Sequence, residues 1–272
     1  MVKKTQKIFT ISKDGINRLK TLSGVSNNSW LQRKIFVKDT DSNIFFRTII
    51  SDIPDDFKMS IYDINSFIGT YKMIENSAID YTDLETDGFV KIINNDLDSK
   101  SKEFFIYNQN EECLMKNNLP LESEIKVNNK MGDKTNTFIL IQDNIKKLSK
   151  ACSVIDANCL RFTTEDDSIT IKAINTKIQN SNTFELNITN GVDIKTEKLT
   201  FDLYVDVFNK LDKEIEEYKV QLCDVNGSKL MSVENEDIGF KFYFAMFTGK
   251  KSWYEDSEQG CWEKRWHGIN ME

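Results

Sequence analysis

A short run of residues occurs twice in this sequence, each time at the same place in a larger pattern. The first copy reads Asp14-Gly-Ile-Asn-Arg-Leu19, and the second reads Asp143-Asn-Ile-Lys-Lys-Leu148, 129 residues later. Each copy follows an apolar strand-like run and leads into a helix-like stretch. Because a constant offset between similar segments is the mark of an internal duplication, we predict two copies of one domain.

The residues between and after the two copies predict the same order of elements in both halves. Helical periodicity predicts helices at about 13–25, 62–76, 142–156 and 205–218. Strand-like runs rich in β-branched and aromatic residues separate and follow them. We therefore predict an α+β fold of two tandem copies, each with two helices laid on one face of an antiparallel sheet.

Composition shifts predict the domain boundaries. We assign residues 1–115 to the first domain, 116–135 to a polar linker that contains Pro120, and 136–247 to the second domain. The tail at 248–272 breaks the pattern and holds three of the four tryptophans. These tryptophans either dock on the protein's own surface or recruit a partner.

Charge and cysteine content limit the classes of function. The net charge of -7 disfavours a protein that is coated in nucleic acid over its whole surface, but it allows a locally basic face. The five cysteines form no CxxC pair, so neither a disulfide framework nor a zinc site is expected. No apolar run approaches the roughly 18 residues of a spanning helix. We expect a soluble protein of the cytoplasm.

Signatures of catalysis are missing from the sequence. The single histidine, His267, lies in the tail, and neither a GxxxxGK[ST] nor a GxGxxG phosphate loop occurs. We therefore expect no enzyme and no cofactor. One alternative remains, a metal-dependent nuclease that uses Asp55 and Asp56 to hold magnesium.

Two of the predicted helices carry an apolar face and a basic face. The first presents Lys13, Arg18 and Lys20, and the third presents Lys146, Lys147 and Lys150. Such lysines are commonly no more than the solvated face of an amphipathic helix. Their recurrence at the same repeat position in an acidic protein also fits contact with phosphates, since no aromatic residues are interleaved for base stacking.

The stretch Met59-Ser-Ile-Tyr-Asp-Ile-Asn-Ser-Phe-Ile-Gly69, the helix entry Ser12-Lys13-Asp14 and the doubled order of elements resemble the sliding clamp of T-even-type bacteriophages. That clamp is a DNA polymerase processivity factor, related in fold to the eukaryotic and archaeal clamps. The likeness covers roughly residues 6–246. It implies a closed ring of six domains, and hence a homotrimer of this two-domain chain, with helices lining the hole and sheets outside.

The resemblance also implies roles for individual residues. Cations that would face DNA in the hole are Lys13, Arg18, Lys20, Lys72, Lys146, Lys147, Lys150, Lys210 and Lys213. Subunits would join by pairing of edge strands through Phe104, Ile106, Cys113, Met115, Phe184, Leu186 and Ile188. A pocket for the apolar peptides of partner proteins would involve Leu119, Leu121, Met246 and Phe247.

The function that this resemblance implies is that of a DNA sliding clamp, a ring that encircles duplex DNA and tethers the replicative polymerase without catalysis. Its partners would be DNA, a DNA polymerase, a clamp loader and further copies of itself, in the cytoplasm of an infected bacterial cell. A second hypothesis is a duplicated β-rich structural or assembly protein of a virus, whose basic helices are solvated faces.

Overall fold

A computed structural model describes residues 5–39, 44–96, 103–110, 112, 114, 117–132, 135–178, 181–196, 198–225 and 228–245. The tail predicted at 248–272 lies outside these residues. The chain divides into two compact units. As far as they are described, the first consists of Met1–Gly132, Lys210–Asp212 and Ser232–Tyr243, and the second of Asp133–Asn209, Lys213–Met231 and Phe244–Glu272.

Short elements follow one another throughout the chain. In the first half they are β1 (Ile8–Phe9), α1 (Lys13–Val25), β2 (Ser29–Gln32), β3 (Lys34–Lys38), β4 (Ile44–Ile49), β5 (Lys58–Ile61), α2 (Ile64–Lys72), β6 (Ser77–Asp80), α3 (Leu84–Asp87), β7 (Phe89–Asn94) and β8 (Phe104–Tyr107). After α4 (Glu122–Met131) come β9 (Asn136–Ile141), α5 (Gln142–Val154), β10 (Cys159–Glu165), β11 (Ser168–Ile174), β12 (Phe184–Ile188), β13 (Thr200–Tyr204), α6 (Val205–Phe208), β14 (Glu217–Val225), β15 (Ser228–Asn235) and β16 (Phe240–Ala245).

The order of elements repeats more finely than the sequence predicts. With α3 and α4 set aside, the chain runs four times through one strand, one helix and three strands, led by β1, β5, β9 and β13. The alternation of sheet and helix is that of an α+β fold, as predicted.

Helix α1 begins and ends where the sequence predicts. Ser12 is its N-cap, and the Ser12 Oγ accepts a hydrogen bond from the Gly15 backbone N–H at 3.1 Å. Its apolar residues recur every three or four positions, so Leu19 and Leu22 are fully buried. Helix α5 confirms the prediction for the second copy, because Ile145, Leu148 and Cys152 are buried on one side.

In the first unit, the sheet that bears on the candidate site has the order β1-β6-β7-β8. Register pairs Val90 of β7 with Ile106 of β8, and the buried Val90 marks the inner face of this sheet. A second layer contains β3, β4, β16 and residues Ser232–Asn235 of β15, and the two-stranded sheet β2-β5 completes the unit. Its core includes Phe46, which stacks on Phe242 with ring centroids 4.6 Å apart.

In the second unit, the corresponding sheet has the order β12-β11-β10-β13. Register pairs Ile171 of β11 with both Leu186 of β12 and Phe162 of β10, so these three side chains share the inner face. Helix α5 packs on β11 and β12 from that side. Elsewhere in the unit β9 pairs antiparallel with β14.

The prediction of a long helix at 205–218 is wrong. Helix α6 has only four residues, and Glu217 is already paired with Ile141 in the sheet. Leu211 and Ile215 are buried at a helical spacing, but they lie in an irregular segment. The Gln142 backbone N–H donates to Glu216 O at 2.7 Å, so pairing with the end of β9 takes the backbone groups that a longer helix would have used.

Other local predictions need smaller corrections. The helix expected at 62–76 is α2, which begins after its N-cap Asp63 and ends at Lys72. The run 31–37 is not one strand. Strand β2 ends just before Arg33, and the chain then enters β3, which belongs to another sheet. The segment 116–135, predicted as a polar linker with little clean periodicity, contains the ten-residue helix α4. None of the helices in the described ranges is long and apolar enough to span a membrane.

Candidate nucleic-acid interface and open strand edges

The basic side chains of α1 and α5 point away from the packed faces of their helices. Lys13 and Lys20 on α1 are exposed. Lys146, Lys147 and Lys150 on α5 are exposed as well. Because each helix is anchored by its apolar side, its ammonium groups are held on an outward helical face rather than on a mobile loop.

Helix α2 brings a further cation to the surface of α1. The two helices pack together, and Ser23 Oγ donates to Asn65 Oδ1 across them at 2.9 Å. The Lys20 amine lies close to Lys72, and this neighbouring cationic group lowers the pKa of Lys72. The electrostatic repulsion between these two exposed ammonium groups would be reduced by a bound anion such as a phosphate.

Arg18 differs from the other predicted cations. Its guanidinium donates to the backbone oxygens of Ile49 and Ile238, the latter at 2.8 Å, and burial lowers its pKa. This side chain therefore ties α1 to β4 and to the turn between β15 and β16 in its own unit. Its role as a DNA contact stays a prediction that the placement of its guanidinium does not favour.

The two cations predicted on the fourth helix do not lie on a helix. Lys210 and Lys213 follow the short α6, and both are half-buried. The Lys210 Nζ donates to the Gly24 backbone oxygen near the end of α1, and the Lys213 backbone oxygen accepts a hydrogen bond from Gln142 Nε2 at 2.9 Å. The outward basic faces are thus that of α1 with α2 in the first unit and that of α5 in the second.

Each four-stranded sheet has two end strands within the described residues, β1 and β8 in the first unit and β12 and β13 in the second. β8 pairs only with β7, and β12 pairs only with β11, within the described residues. These are the strands that carry the predicted interface residues Phe104, Ile106, Phe184, Leu186 and Ile188. Cys113 and Met115, predicted in the same interface, lie outside the described residues. A bare edge presents unpaired N–H and C=O groups, so it is a template for pairing with another strand.

Side chains on both open edges alternate in the same way. Phe104 and Ile106 continue the inner face of their sheet and are only half-buried, because β8 is the last strand described on that side. Leu186 on β12 likewise continues the inner face of its sheet and is half-buried. On the opposite face of β8, Phe105 and Tyr107 are 50% and 60% exposed. Exposed aromatic residues on a strand edge are typical of a surface that binds another protein.

The predicted partner pocket is described only in part. Leu119 extends the edge of β3, where its backbone N–H donates to Phe36 O at 2.9 Å. Leu121 is 37% exposed and stands at the N-cap of α4. Met246 and Phe247 lie outside the described residues, so the pocket stays a prediction.

A polar cluster whose members Glu234, Lys241 and Tyr243 are buried holds α4, and sequence reasoning missed it. Lys241 Nζ lies 2.6 Å from Glu234 Oε2 and donates to Asn128 Oδ1 at 3.1 Å. The Tyr243 hydroxyl lies 2.8 Å from Asn128 Oδ1 and 3.1 Å from Glu124 Oε1. Arg47 Nε lies 2.8 Å from Glu124 Oε1. We call Arg47, Glu124, Asn128, Glu234, Lys241 and Tyr243 the α4 cluster.

The alternating residues of β16 were the sequence signal nearest to the α4 cluster, but they predict that Lys241 and Tyr243 are exposed to solvent. Phe240, Phe242 and Phe244 face the core, so Lys241 and Tyr243 belong to the opposite face, which the pattern predicts to be solvated. Helix α4 covers that face instead. Burial raises the pKa of Tyr243, and the nearby Glu124 carboxylate raises it further.

The carboxylates considered for a metal-dependent nuclease are held in ion pairs. Asp55 Oδ2 lies 2.9 Å from Arg33, and Asp56 Oδ2 lies 3.2 Å from Lys7 Nζ. The Tyr81 hydroxyl also donates to Asp56 at 3.1 Å. In the described ranges no group of three or more His, Cys, Asp or Glu side chains is placed to hold a metal ion.

Comparison with known proteins finds no match to the sequence but a clear match to the fold. No protein-family model matches the sequence, and no curated protein matches it. The fold is similar to the crystal structure of proliferating cellular nuclear antigen from Entamoeba histolytica, with a TM-score of 0.62 and 11% sequence identity. The likeness covers 89% of this chain and 98% of that chain. An identity this low shows the fold alone: the chain has the sliding-clamp fold.

Proposed function

We propose that this protein is a DNA sliding clamp, a ring of three chains that encircles duplex DNA and tethers a DNA polymerase without chemistry of its own. The observation that carries the proposal is the sliding-clamp fold together with the end strands β8 and β12, one in each unit. A chain with two different open edges can pair head to tail with further copies, and such heterologous contacts close into a ring when the rotation permits. Three chains of two domains give the six domains that the resemblance implies.

The faces of the two edges support this pairing. Antiparallel pairing of β8 with β12 of another copy places Ile106 and Phe104 beside Leu186 and Phe184 on the inner face of one continuous sheet. The half-buried apolar side chains on both edges would then be shielded from water. Both sets of unpaired backbone groups would also be satisfied.

The exposed lysines of α1, α2 and α5 are proposed to attract DNA phosphates. Ammonium groups without neighbouring aromatic rings contact the backbone and carry no sequence readout. A topologically closed ring needs only such a weak and uniform attraction, since it is retained by enclosure. We therefore assign Lys13, Lys20, Lys72, Lys146, Lys147 and Lys150 to the DNA-facing surface, and a separate loader would open the ring.

We further infer that the clamp is of the T-even bacteriophage type and acts in the cytoplasm of the infected cell. This part of the proposal is supported by the resemblance of residues 59–69 and of the helix entry at 12–14.

Light scattering and particle images test the ring. We expect the mass of three chains at micromolar concentration and a central hole wide enough for a duplex. Leu186→Glu should shift the protein to smaller species, because it places a carboxylate in the apolar seam between edges. Asn187→Glu, on the opposite face of the same strand, is the matched control and should leave the mass unchanged. A wild-type monomer, or a mass that Leu186→Glu does not lower, would contradict the proposal.

A further inference from the structure

Three aromatic rings contact one another on the outer side of the sheet β1-β6-β7-β8, opposite the buried Val90. Phe105 and Tyr107 of β8 are at least half exposed there. The ring of Phe89 on β7 meets both of them edge to face, with centroids 5.4 Å and 5.7 Å apart. We call Phe89, Phe105 and Tyr107 the outer aromatic face. Because the rings are in mutual contact, they form one continuous apolar surface rather than scattered exposed side chains.

The repeat of the fold provides an internal comparison for these positions. Strands β7 and β8 hold the same places in their repeat as β11 and β12, and both pairs are antiparallel. Aligning Val90 with Ile171, which are both buried, matches the outer aromatic face with the polar residues Thr170, Glu185 and Asn187. A strand pair of this kind therefore forms without aromatic residues on its outer side, so the sheet itself does not require them.

The margin of the outer aromatic face is acidic. Asp87 is exposed directly before β7, at the Tyr107 end, and Glu103 is exposed directly before β8, at the opposite end. The Lys91 amine lies 5.8 Å from the centroid of the Phe105 ring, but it is already paired with Asp83 at 3.6 Å. An apolar surface with carboxylates at both ends complements a segment that combines aromatic rings with cations.

The tail of this chain contains a segment with that chemistry. The run Trp262-Glu-Lys-Arg-Trp266 places two indole rings on either side of Lys264 and Arg265. Tryptophan and arginine are the residue types that most often dominate the energy of protein contacts. The two tryptophans supply rings for the outer aromatic face, and the two cations supply partners for its carboxylates.

The tail is also long enough to reach the outer aromatic face of its own chain. It follows β16, whose residues Phe240–Tyr243 belong to the first unit, as the outer aromatic face does. Trp262 lies 17 residues beyond Ala245, and an extended chain of that length spans up to about 60 Å. A folded unit of this size is roughly 35 Å across. A segment tethered in this way is present at a high effective concentration.

We propose that Trp262 and Trp266 of the tail bind the outer aromatic face of their own chain, with Lys264 and Arg265 directed to the carboxylates at its margin. The contact involves only the tail and the first unit, so the inference is independent of the proposed ring. It gives the tryptophans of the tail a binding site on the protein's own surface.

Fluorine NMR of the full-length protein labelled with 5-fluorotryptophan tests this contact. The chain has four tryptophans, and replacing each in turn by phenylalanine assigns its resonance. The Trp262 and Trp266 resonances of the wild type should be displaced from their positions in a synthetic peptide of residues 248–272. The Trp30 resonance reports on the fold, because Trp30 lies in β2 with the Lys58 amine 4.0 Å from its ring centroid.

Two double variants show which surface causes the displacement. Phe105→Ser with Tyr107→Ser removes the exposed rings and should return both tail resonances to the peptide positions, with the Trp30 resonance unchanged. Met73→Ser with Val154→Ser is the matched control, since it removes two exposed apolar side chains at helix ends. It should leave both tail resonances displaced.

Reversing the charges of the tail tests the contribution of the acidic margin. Lys264→Glu with Arg265→Glu should also return the resonances to the peptide positions, because like charges would then face each other. Tail resonances that keep their displacement in this variant would overturn the assignment of the cations.

The remaining outcomes decide the inference without reference to the ring. Wild-type tail resonances at the peptide positions would overturn it, and so would a displacement that survives loss of Phe105 and Tyr107 or disappears in the control. Labelled chains without these two rings can also be equilibrated with unlabelled chains in which Trp262 and Trp266 are alanine. Displaced resonances in that mixture would show that the tail binds another copy, which contradicts binding to its own chain.

Discussion

At the scale of single residues, Gly15 shows how packing can override an intrinsic preference. Alanine is the better helix former, and Gly to Ala in a helix usually stabilises by roughly 0.5–1 kcal/mol. A Cβ on Gly15, however, would lie 2.6 Å from both Asp52 Oδ2 and Ile11 Cγ2. Asp52 is held there by hydrogen bonds from the Ser12 N–H at 2.9 Å and the Ser12 hydroxyl at 2.6 Å. The helix entry therefore requires glycine.

We expect Gly15→Ala to lower the free energy of unfolding by about 1–3 kcal/mol, the usual cost of forcing an extra carbon into a packed site. Gly24→Ala is the matched control in the same helix, since a Cβ there meets nothing within 4 Å. It should be neutral or stabilising. Urea unfolding at pH 7 measures both variants, and an equal effect of the two would contradict the packing argument.

Asp63 gives a second residue-scale prediction, which concerns pH. The Ser66 N–H donates to its carboxylate at 2.9 Å, and this bond, followed by one from the Asn27 side chain, lowers the pKa of Asp63. Since the folded pKa lies below the unfolded value, the cap contributes stability above about pH 4, and the contribution is lost as pH falls through the folded pKa. Asp63→Asn should keep the cap but lose its pH dependence.

The measurement compares urea unfolding of the wild type, Asp63→Asn and Asp63→Ala at pH 7 and pH 3. Asp63→Ala should cost about 1 kcal/mol at pH 7, the usual value for loss of an N-cap. The difference between the wild type and Asp63→Ala should shrink at pH 3, whereas that between Asp63→Asn and Asp63→Ala should not. A wild-type advantage that grows on acidification would show that the sign is wrong.

At the scale of elements, the α4 cluster explains how a short polar helix stays on a sheet. Isolated helices of ten residues are marginal in water, so α4 depends on its contacts. The described contacts are largely ionic and polar, and the Lys241–Glu234 pair at their centre has side chains only 8% and 6% exposed. Removing one member of such a pair leaves a buried charge without its partner.

We expect Lys241→Met to lower the free energy of unfolding by about 3 kcal/mol or more, because Glu234 would stay buried without its ammonium partner. The double variant Lys241→Met with Glu234→Leu should recover much of that loss, since both charges are then removed. Denaturant unfolding of the two single variants and the double variant completes the cycle. Additive effects would show that the pair is not coupled.

At the scale of the whole molecule, the basic surface of α5 can be tested apart from the ring. Replacing Lys146, Lys147 and Lys150 by glutamine should leave the mass of the proposed trimer unchanged but impair loading or processive synthesis. The dependence of DNA binding on salt should become shallower, by about 0.9 in the log–log slope for each phosphate that the variant no longer neutralises. Unchanged processivity at physiological salt would count against the assignment.

The control for that experiment removes the same charge from another exposed region of the second unit. Lys177, Lys195 and Lys198 are exposed and lie on loops rather than on α5. Their triple glutamine variant should bind DNA and support synthesis like the wild type. If it is impaired equally, net charge rather than the placement of the lysines is responsible.

Much of the molecule could be read from the sequence wherever a local period was decisive. The spacing of Ile16, Leu19 and Leu22 predicted α1, and the strand-like runs predicted β8 and β12, which are open edges. The same reasoning wrongly predicted that the helix continues after α6. Leu211 and Ile215 are buried at a helical spacing, but the backbone from Glu216 onward forms hydrogen bonds at the end of β9. A helical spacing of apolar residues predicts only which side chains are buried. Residues such as Leu211 and Ile215 can be buried by a helix or by an irregular segment.

The sequence by itself determined the duplication, the cores of α1 and α5 and the lysines on their outer faces, since each follows from residues a few positions apart. Only the tertiary structure decided that Arg18 binds backbone oxygens, that Lys241 is buried beneath α4 and that Gly15 admits no side chain. In each case the deciding partner lies far away along the chain. Local pattern tells which side of an element is polar, but what covers that side depends on segments that only folding brings together.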